Sequence, residues 1–481
     1  MTQTDFNVLF PVITLASWAS ILLLVDLFIP HERKGLTALF SALGLLLTLG
    51  ISISQFGTEA TGFGGMVMLD GFSTFLNCLF LLTGLLGVAL AYNYIKRMDI
   101  ERGEYYSLLL FSVVGMMLMA QASDLIMTFI ALELLSIPLY VMAAMAYPKT
   151  DSEEAGIKYF LLGSFASGFV VYGIALTFGA TGSTALAEIV AIVSAGAANI
   201  PLLLVGAALI LVGFGFKVAA VPFHMWTPDV YQGAPTSVTA FMAAGAKAAG
   251  FAALLRIFAI GLPALAFDFT QVLTVLAALS MLIGNFVAIS QTDIKRMLAY
   301  SSIAQAGYIL MAFVPYGNPL VRELSVSAAL FYLVAYTLTS FGAWGVVIAL
   351  EKENGQGLKI DDYAGLGRKQ PMLAAAMTIF MLSLTGLPPT LGLVGKIHLF
   401  RVVMAGGFYW LAGIGVLTSL ISAYYYLRVV IKMYMQDGEP QVTRERWLDF
   451  TIIAMAVLTV VISLFPAPLF DWASQAVLAL F

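Results

Sequence analysis

Apolar residues run through this chain in blocks of eighteen or more, parted by short polar stretches, from one end to the other. A block of that length crosses a hydrocarbon core of about 30 Å as a helix. Fourteen spans are predicted, at roughly 7–29, 35–54, 71–95, 104–121, 124–146, 155–179, 200–220, 235–259, 268–290, 294–314, 324–349, 371–404, 408–434 and 448–469. The alternating segments of about ten residues that mark a membrane barrel do not occur. The expected class is therefore an all-α polytopic membrane protein, with no strands and hence no strand-borne phosphate loop or nucleotide site. The first block is too long for a signal-peptide core and has no basic region before it, so it is expected to be retained. The polar stretch 350–370 is too short for a soluble domain. Residues 183–197 are expected to form a short amphipathic helix at the outer surface.

The block 371–404 is long, and Pro388-Pro389 interrupts it near its middle. Charge decides whether it is one broken helix or two spans. With one broken helix and both termini outside, 17 of the 23 Lys and Arg fall on inner segments and flanks. Only Arg256, Arg322 and Arg401 stay outside, and Lys217, Lys247 and Lys396 lie within spans. That asymmetry is what the positive-inside rule demands, and splitting the block would scramble it downstream.

Residues 1–481 then form a single membrane domain: helices 1–3 in 1–103, a first five-helix unit in 104–259, a second in 268–434, and helix 14 at 448–469. Two spans, the seventh and the twelfth, carry a central lysine beside a proline break, Lys217 near Pro222 and Lys396 after Pro388-Pro389. Five spans separate them in register, an odd number, so the two units are expected to be inverted repeats with broken helices 7 and 12. Such breaks point to an ion path. The register is imperfect, because the proline follows Lys217 but precedes Lys396.

Composition sharpens this picture. The chain is 61% hydrophobic and only 10% charged, so a charge inside a span stands out. Glu133, Lys217, Lys247 and Lys396 each cost roughly 2.5–3.5 kcal/mol at mid-membrane. Lys247 sits about twelve residues from either end of its span, some 18 Å at 1.5 Å per residue, beyond the reach of snorkelling. Three lysines facing one central carboxylate do not close as a set of structural ion pairs. A buried excess lysine must shed its proton part of the time or sit in a wet cavity, which favours a proton relay over inert glue. Small residues around Lys247 leave room for water or close helix contact. The proline breaks are expected to free backbone carbonyls beside the lysines. For Pro138 a path-lining kink and a plain packing kink both stand.

His224 reads either as a feeder of protons from the inner side or as a helix cap, and His398, two residues past Lys396, is a candidate for a relay role. Glu153 and Glu154 open a helix at the inner surface, where acids favour the dipole whatever the function; Glu154 is kept as a secondary candidate. Asp26 is expected to anchor the first span, and Asp229 to lie in a loop. One cysteine, Cys78, and three scattered histidines argue against a bound metal, haem or iron–sulfur centre.

The stretches KVAAVPFHMWTPDVYQGAPTSVTAFMAAGAKAAG (217–250), RMLAYSSIAQAGY (296–308) and KYFLLGSFASGF (158–169) resemble the antiporter-like membrane subunits of proton-pumping NADH–quinone oxidoreductase, respiratory complex I. The resemblance covers nearly the whole chain. Within that family it is similar to the branch with lysine in the twelfth span and no long lateral helix after the fourteenth. It implies a relay in which Glu133 biases Lys217, Lys247 passes protons between half-channels and Lys396 exchanges with the outer side. It also implies an energy-coupling membrane, such as a bacterial inner membrane, and membrane-arm partners that include other antiporter-like subunits. Flavin, iron–sulfur clusters and quinone are then expected in other subunits and none here. The related multi-subunit cation/proton antiporters share these motifs and stand as the alternative. Gln305 departs from the pattern, which often has histidine there, so titration at that position is not required.

Overall fold

A computed structural model describes residues 2–262 and 265–476. The helices that cross the bundle are α1 (Gln3–Asp26), α2 (Gly35–Ser54), α3 (Gly71–Ala91), α4 (Glu104–Gln121), α5 (Leu125–Ala143), α6 (Thr150–Thr181), α7 (Ile200–Val218), α8 (Thr236–Ala259) and α9 (Ala266–Ile289). They continue with α10 (Ile294–Phe313), α11 (Pro319–Leu350), α12 (Pro371–Thr385), α13 (Leu391–Ala405), α14 (Tyr409–Met435) and α15 (Arg446–Leu464). Twelve helical segments are long and apolar enough to cross a membrane. The other two expected spans are α10, whose serines and glutamine dilute its apolar character, and the broken pair α12–α13. Met1 and Phe481, the termini expected on the outer side, lie outside the described residues.

Many helices begin where a short polar side chain can cap them. Asp70, Asp124, Asn199, Asp293 and Asn318 each accept a hydrogen bond from a backbone N–H in the first turn of α3, α5, α7, α10 and α11, the role these residues fill best. Pro201 and Pro319 sit in the first turn of their helices, where a missing N–H is no loss. Burial sorts the bundle into layers. The apolar windows of α8 and α11 are 100% and 94% buried, whereas those of α1, α6, α14 and α15 are only 33% buried. Lys247 on α8 is thus at the centre of the molecule.

Several expectations are corrected. A short antiparallel pair, Ala60–Gly62 with Val67–Leu69, joins α2 to α3, so the chain is not free of strands. The first span is shifted to Gln3–Asp26; Asp26 does end it, held by Lys34 Nζ at 2.7 Å and Thr37 Oγ1 at 2.6 Å. Asp229 lies in a short helix, Trp226–Gly233, not in a loop; together with α7 it forms the expected broken seventh span. Arg256 is not at the outer aqueous flank but 1% exposed, on a π-helical stretch at the end of α8. The amphipathic helix appears as Leu186–Ser194.

Candidate proton path within the membrane

Lys217 stands in the last turn of α7. Its ammonium donates to Ser136 Oγ on α5 at 2.8 Å and to Tyr159 OH on α6 at 3.3 Å. Its stem lies against Gly250 of α8, where an added Cβ would come within 3.2 Å of Lys217 Cγ. Glu133 is one turn before Ser136 on the same helix. Among the described residues no ion pair joins it to Lys217; its half-buried carboxylate accepts instead from Ser167 Oγ on α6. Instead of pairing directly, the simplest form of the expected bias, the two groups bond to different serines, Lys217 to Ser136 and Glu133 to Ser167.

Lys247 follows a single π turn, Met242–Ala246, inside α8. Such a turn is common at functional sites because it leaves backbone groups out of register. The Lys247 ammonium donates to the Ser302 carbonyl at 2.7 Å and to Ser302 Oγ at 3.0 Å, both on α10.

Lys396 lies in α13, buried, and reaches back across the break. Gly386, at φ 89°, ends α12 in the left-handed conformation that glycine adopts freely. The carbonyls of Leu384 and Thr385 at that end accept from Lys396 Nζ at 3.1 and 2.9 Å, and Ser419 Oγ on α14 accepts at 3.0 Å. The Tyr308 ring lies 4.2 Å away. Here the break does free carbonyls for a lysine. At Lys217 it does not: Ala219 and Ala220 N–H and the Trp226 indole take the carbonyls of Gly215 and Phe216. The two sites nonetheless share one logic, since each lysine sits at a helix C-terminus, Lys217 at its own and Lys396 at that of α12. The opposite order of proline and lysine in the two spans follows from this.

Hydroxyl and amide groups fill the gap between Lys247 and Lys396. Gln305, one turn past Ser302, donates from Nε2 to the Leu384 carbonyl at 2.9 Å, the same oxygen that Lys396 uses, and to Tyr426 OH at 3.3 Å. Its Oε1 accepts from Tyr332 OH, and Tyr426 OH in turn shares a hydrogen bond with Ser301 Oγ. The polar run Ser301, Ser302, Gln305 inside an apolar block was the sequence signal for this row. Tyr332 and Tyr426 carried none, because tyrosine is common in cores.

The secondary candidates fall outside this line. His224 is half-buried in the break after α7, its Nδ1 unpartnered, and caps no helix there. His398 stacks on Phe470 at 4.2 Å with its Nδ1 unpartnered. Glu154 pairs at the surface with Lys158, which also bonds Asp229, itself bonded by Arg296. Among the described residues no cluster of three metal-ligating side chains occurs.

Close helix contact at the second break is testable. A Cβ on Gly392 would fall 1.9 Å from the Ser383 carbonyl, so Gly392→Ala must push α13 off α12. We expect a loss of about 1–3 kcal/mol, seen as a lowered thermal-inactivation temperature. Gly413→Ala, where nothing lies within 4 Å, leaves that temperature unchanged.

The profile of the NADH:quinone oxidoreductase/Mrp antiporter transmembrane family matches residues 122–422. The chain belongs to this family. A member from Chloroflexus aggregans named NADH-quinone oxidoreductase subunit N is 46% identical over 482 residues, covering 99% of this chain and 98% of the relative. Among solved structures, a chain of respiratory complex I from Thermus thermophilus with bound aureothin is 36% identical, with a TM-score of 0.83 over 96% of this chain and 99% of that one. A chain of the Mrp complex from a Dietzia species superposes with a TM-score of 0.86 over 99% of this chain and 97% of that one, at 21% identity, a likeness of fold alone. The family's matched region holds all four intramembrane charges, both breaks and the α10 row. It leaves out α1–α4 up to Gln121 and everything after Ser422.

Proposed function

We propose that this chain is subunit N of a proton-translocating NADH–quinone oxidoreductase. It moves protons through Glu133, Lys217, Lys247 and Lys396, driven by quinone reduction elsewhere in the complex. The observation that carries this is the set of three buried lysines whose ammonium groups, among the described residues, hydrogen-bond only to neutral hydroxyls and carbonyls. A scaffold would pair them with carboxylates, because an unpaired buried charge is expensive. Near-full-length identity of 46% to a protein named subunit N, against 21% to the Mrp chain, favours this reading over a cation/proton antiporter.

In this reading the chain sits in a bacterial inner membrane or its equivalent. It docks with other membrane-arm subunits, including antiporter-like neighbours, and leaves flavin, iron–sulfur clusters and quinone to other subunits. Purifying the complex through a tag on this chain tests both points. Redox subunits should copurify, and no chromophore or metal should remain once this chain is separated from them. Recovery of the chain with antiporter subunits and no redox subunit overturns the assignment. Both termini face the outer side in this reading, so a reporter active only in the cytoplasm stays silent when fused after the last residue; full activity means the span count is off by an odd number.

A further inference from the structure

At the end of the bundle that carries most of the basic residues, two charges that sequence places at the surface are buried. Lys295, in the first turn of α10, is 2% exposed, and Glu351, directly after α11, is 5% exposed. The Lys295 ammonium donates to the Ala234 carbonyl at 2.8 Å. One oxygen of Glu351, Oε2, is buried with no hydrogen-bond partner among the described residues. Tyr94, whose hydroxyl accepts from Thr236 N–H at 2.9 Å, lies beside Glu351. Tyr363 closes the far side, fully buried with its hydroxyl unpartnered. The loop bearing Tyr363 is tied down by a bridge between Asp293 and Lys359. The charges that face Lys295 are Glu351 first, then Asp293, Lys149 and Asp151. Leu350 and Lys352, on either side of Glu351 in the chain, line a surface cleft of about 310 Å³.

A structural clasp accounts for Lys295 alone, since its ammonium caps the carbonyl that ends helix Trp226–Gly233. It does not account for a buried carboxylate beside it with an oxygen left empty, a group that costs stability unless something else requires it. The line continues inward. Lys295 and Ser302 are seven residues apart on α10, so they share a face about 10.5 Å apart along the axis. Ser302 is the residue that holds Lys247, and the Tyr231 and Tyr336 phenols lie beside it.

We infer that Glu351 and Lys295 form the proton-loading site that supplies Lys247 from the basic end of the bundle, an inference that rests on the relay proposed above. A hydronium ion on that side gives a proton to the Glu351 carboxylate, forming its O–H bond and leaving a neutral water. That bond breaks as the proton passes to an intervening water, which gives one of its own to form an N–H bond on the neutral Lys295 amine. The lysine then releases the proton along the hydroxyls beside Ser302 to the neutral Lys247 amine, and each hydroxyl gives up one proton as it takes another. His224 and the surface pair Glu154–Lys158 are not needed for entry.

The test uses assembled complexes of known orientation in sealed vesicles, with pH varied on the side of the basic end. Glu351→Gln should slow proton uptake about tenfold, less than the 10²–10⁴-fold of a positioned acid or base, because direct water entry remains as a bypass. It should also flatten the response to pH on that side. Lys295→Arg keeps the clasp on Ala234 but cannot release a proton, so it should fail like Lys295→Met; full activity of Lys295→Arg overturns the loading role. If Glu351→Gln does not assemble, Glu351→Asp is compared with wild type by infrared difference spectra on acidifying that side. A carboxyl band that shifts between the two supports the site, and identical spectra overturn it. Lys247→Ala in the same vesicles separates the two levels. Normal pumping by it defeats the relay itself, whereas its failure beside normal Glu351→Gln and Lys295→Arg defeats only the loading site.

Discussion

Lys217→Arg stops proton translocation in assembled complexes almost as completely as Lys217→Ala. The lysine is 4% exposed and held by a serine and a tyrosine hydroxyl. Those partners accept hydrogen bonds from a cation and carry no counter-charge, so among the described residues no ion pair pins the lysine in its charged form. Arginine keeps the charge and cannot release its proton. A relay therefore loses its working step, a loss of about 10²-fold or more in proton flux. An ion-pair scaffold predicts the reverse, with arginine working nearly as well as lysine. Glu133 should be the milder position, because it makes no ion pair with Lys217 among the described residues and its carboxylate is bonded to Ser167. Glu133→Gln slows turnover without loss of assembly, and Glu133→Asp, which keeps the charge but retracts it by one methylene, slows it less. Proton flux and quinone reduction measured in the same vesicles read both effects, and normal pumping by Lys217→Arg removes that lysine from the relay.

Arg256→Ala destabilises the subunit by about 3–5 kcal/mol, the usual result of stranding one member of a buried ion pair. Arg256 meets Asp70 with two bonds, Nη1 to Oδ2 at 2.6 Å and Nη2 to Oδ1 at 3.1 Å, and also donates to the Ala120 carbonyl. The pair is 1% and 2% exposed and joins α8 to the start of α3, with α4 between. Asp70 has a second duty, because its Oδ1 accepts from Ser73 N–H at 2.8 Å and caps α3. Arg256→Met with Asp70→Ser removes both charges and keeps a capping oxygen, so it should recover most of the loss. Thermal unfolding of the purified complex measures this. Equal loss in the single and double variants means that the pair contributes through packing and not through charge.

The helices and both breaks were legible because apolar block length and proline act locally. The four intramembrane charges were legible because a charge in hydrocarbon is costly and stands out in an apolar block. What each charge touches was not, since a partner is chosen in three dimensions. Glu133 on α5 and Lys217 on α7 read from the sequence as a pair, yet serines on α6 and α5 take their polar groups. Arg256, Lys295 and Glu351 lie at span ends, where a charge normally reaches water; only the packing of α3, α11 and the 350–370 loop over them reveals burial. Asp229 looked like a loop residue because Pro228 and Gly233 flank it. Pro228 instead falls in the first turn of a helix only eight residues long, where it breaks nothing.

The Lys396 ammonium rests on the last carbonyls of α12, and that choice of counter-charge has a consequence for the energetics of switching. A helix C-terminus presents about half a negative elementary charge. Unlike a carboxylate, it has no protonated form at any pH the membrane meets. Acidifying either compartment leaves that pole at full strength, so the bias at this position behaves as a constant voltage and not as a second titrating partner. Every change of charge there belongs to the lysine alone, and the position should charge and discharge in a single step.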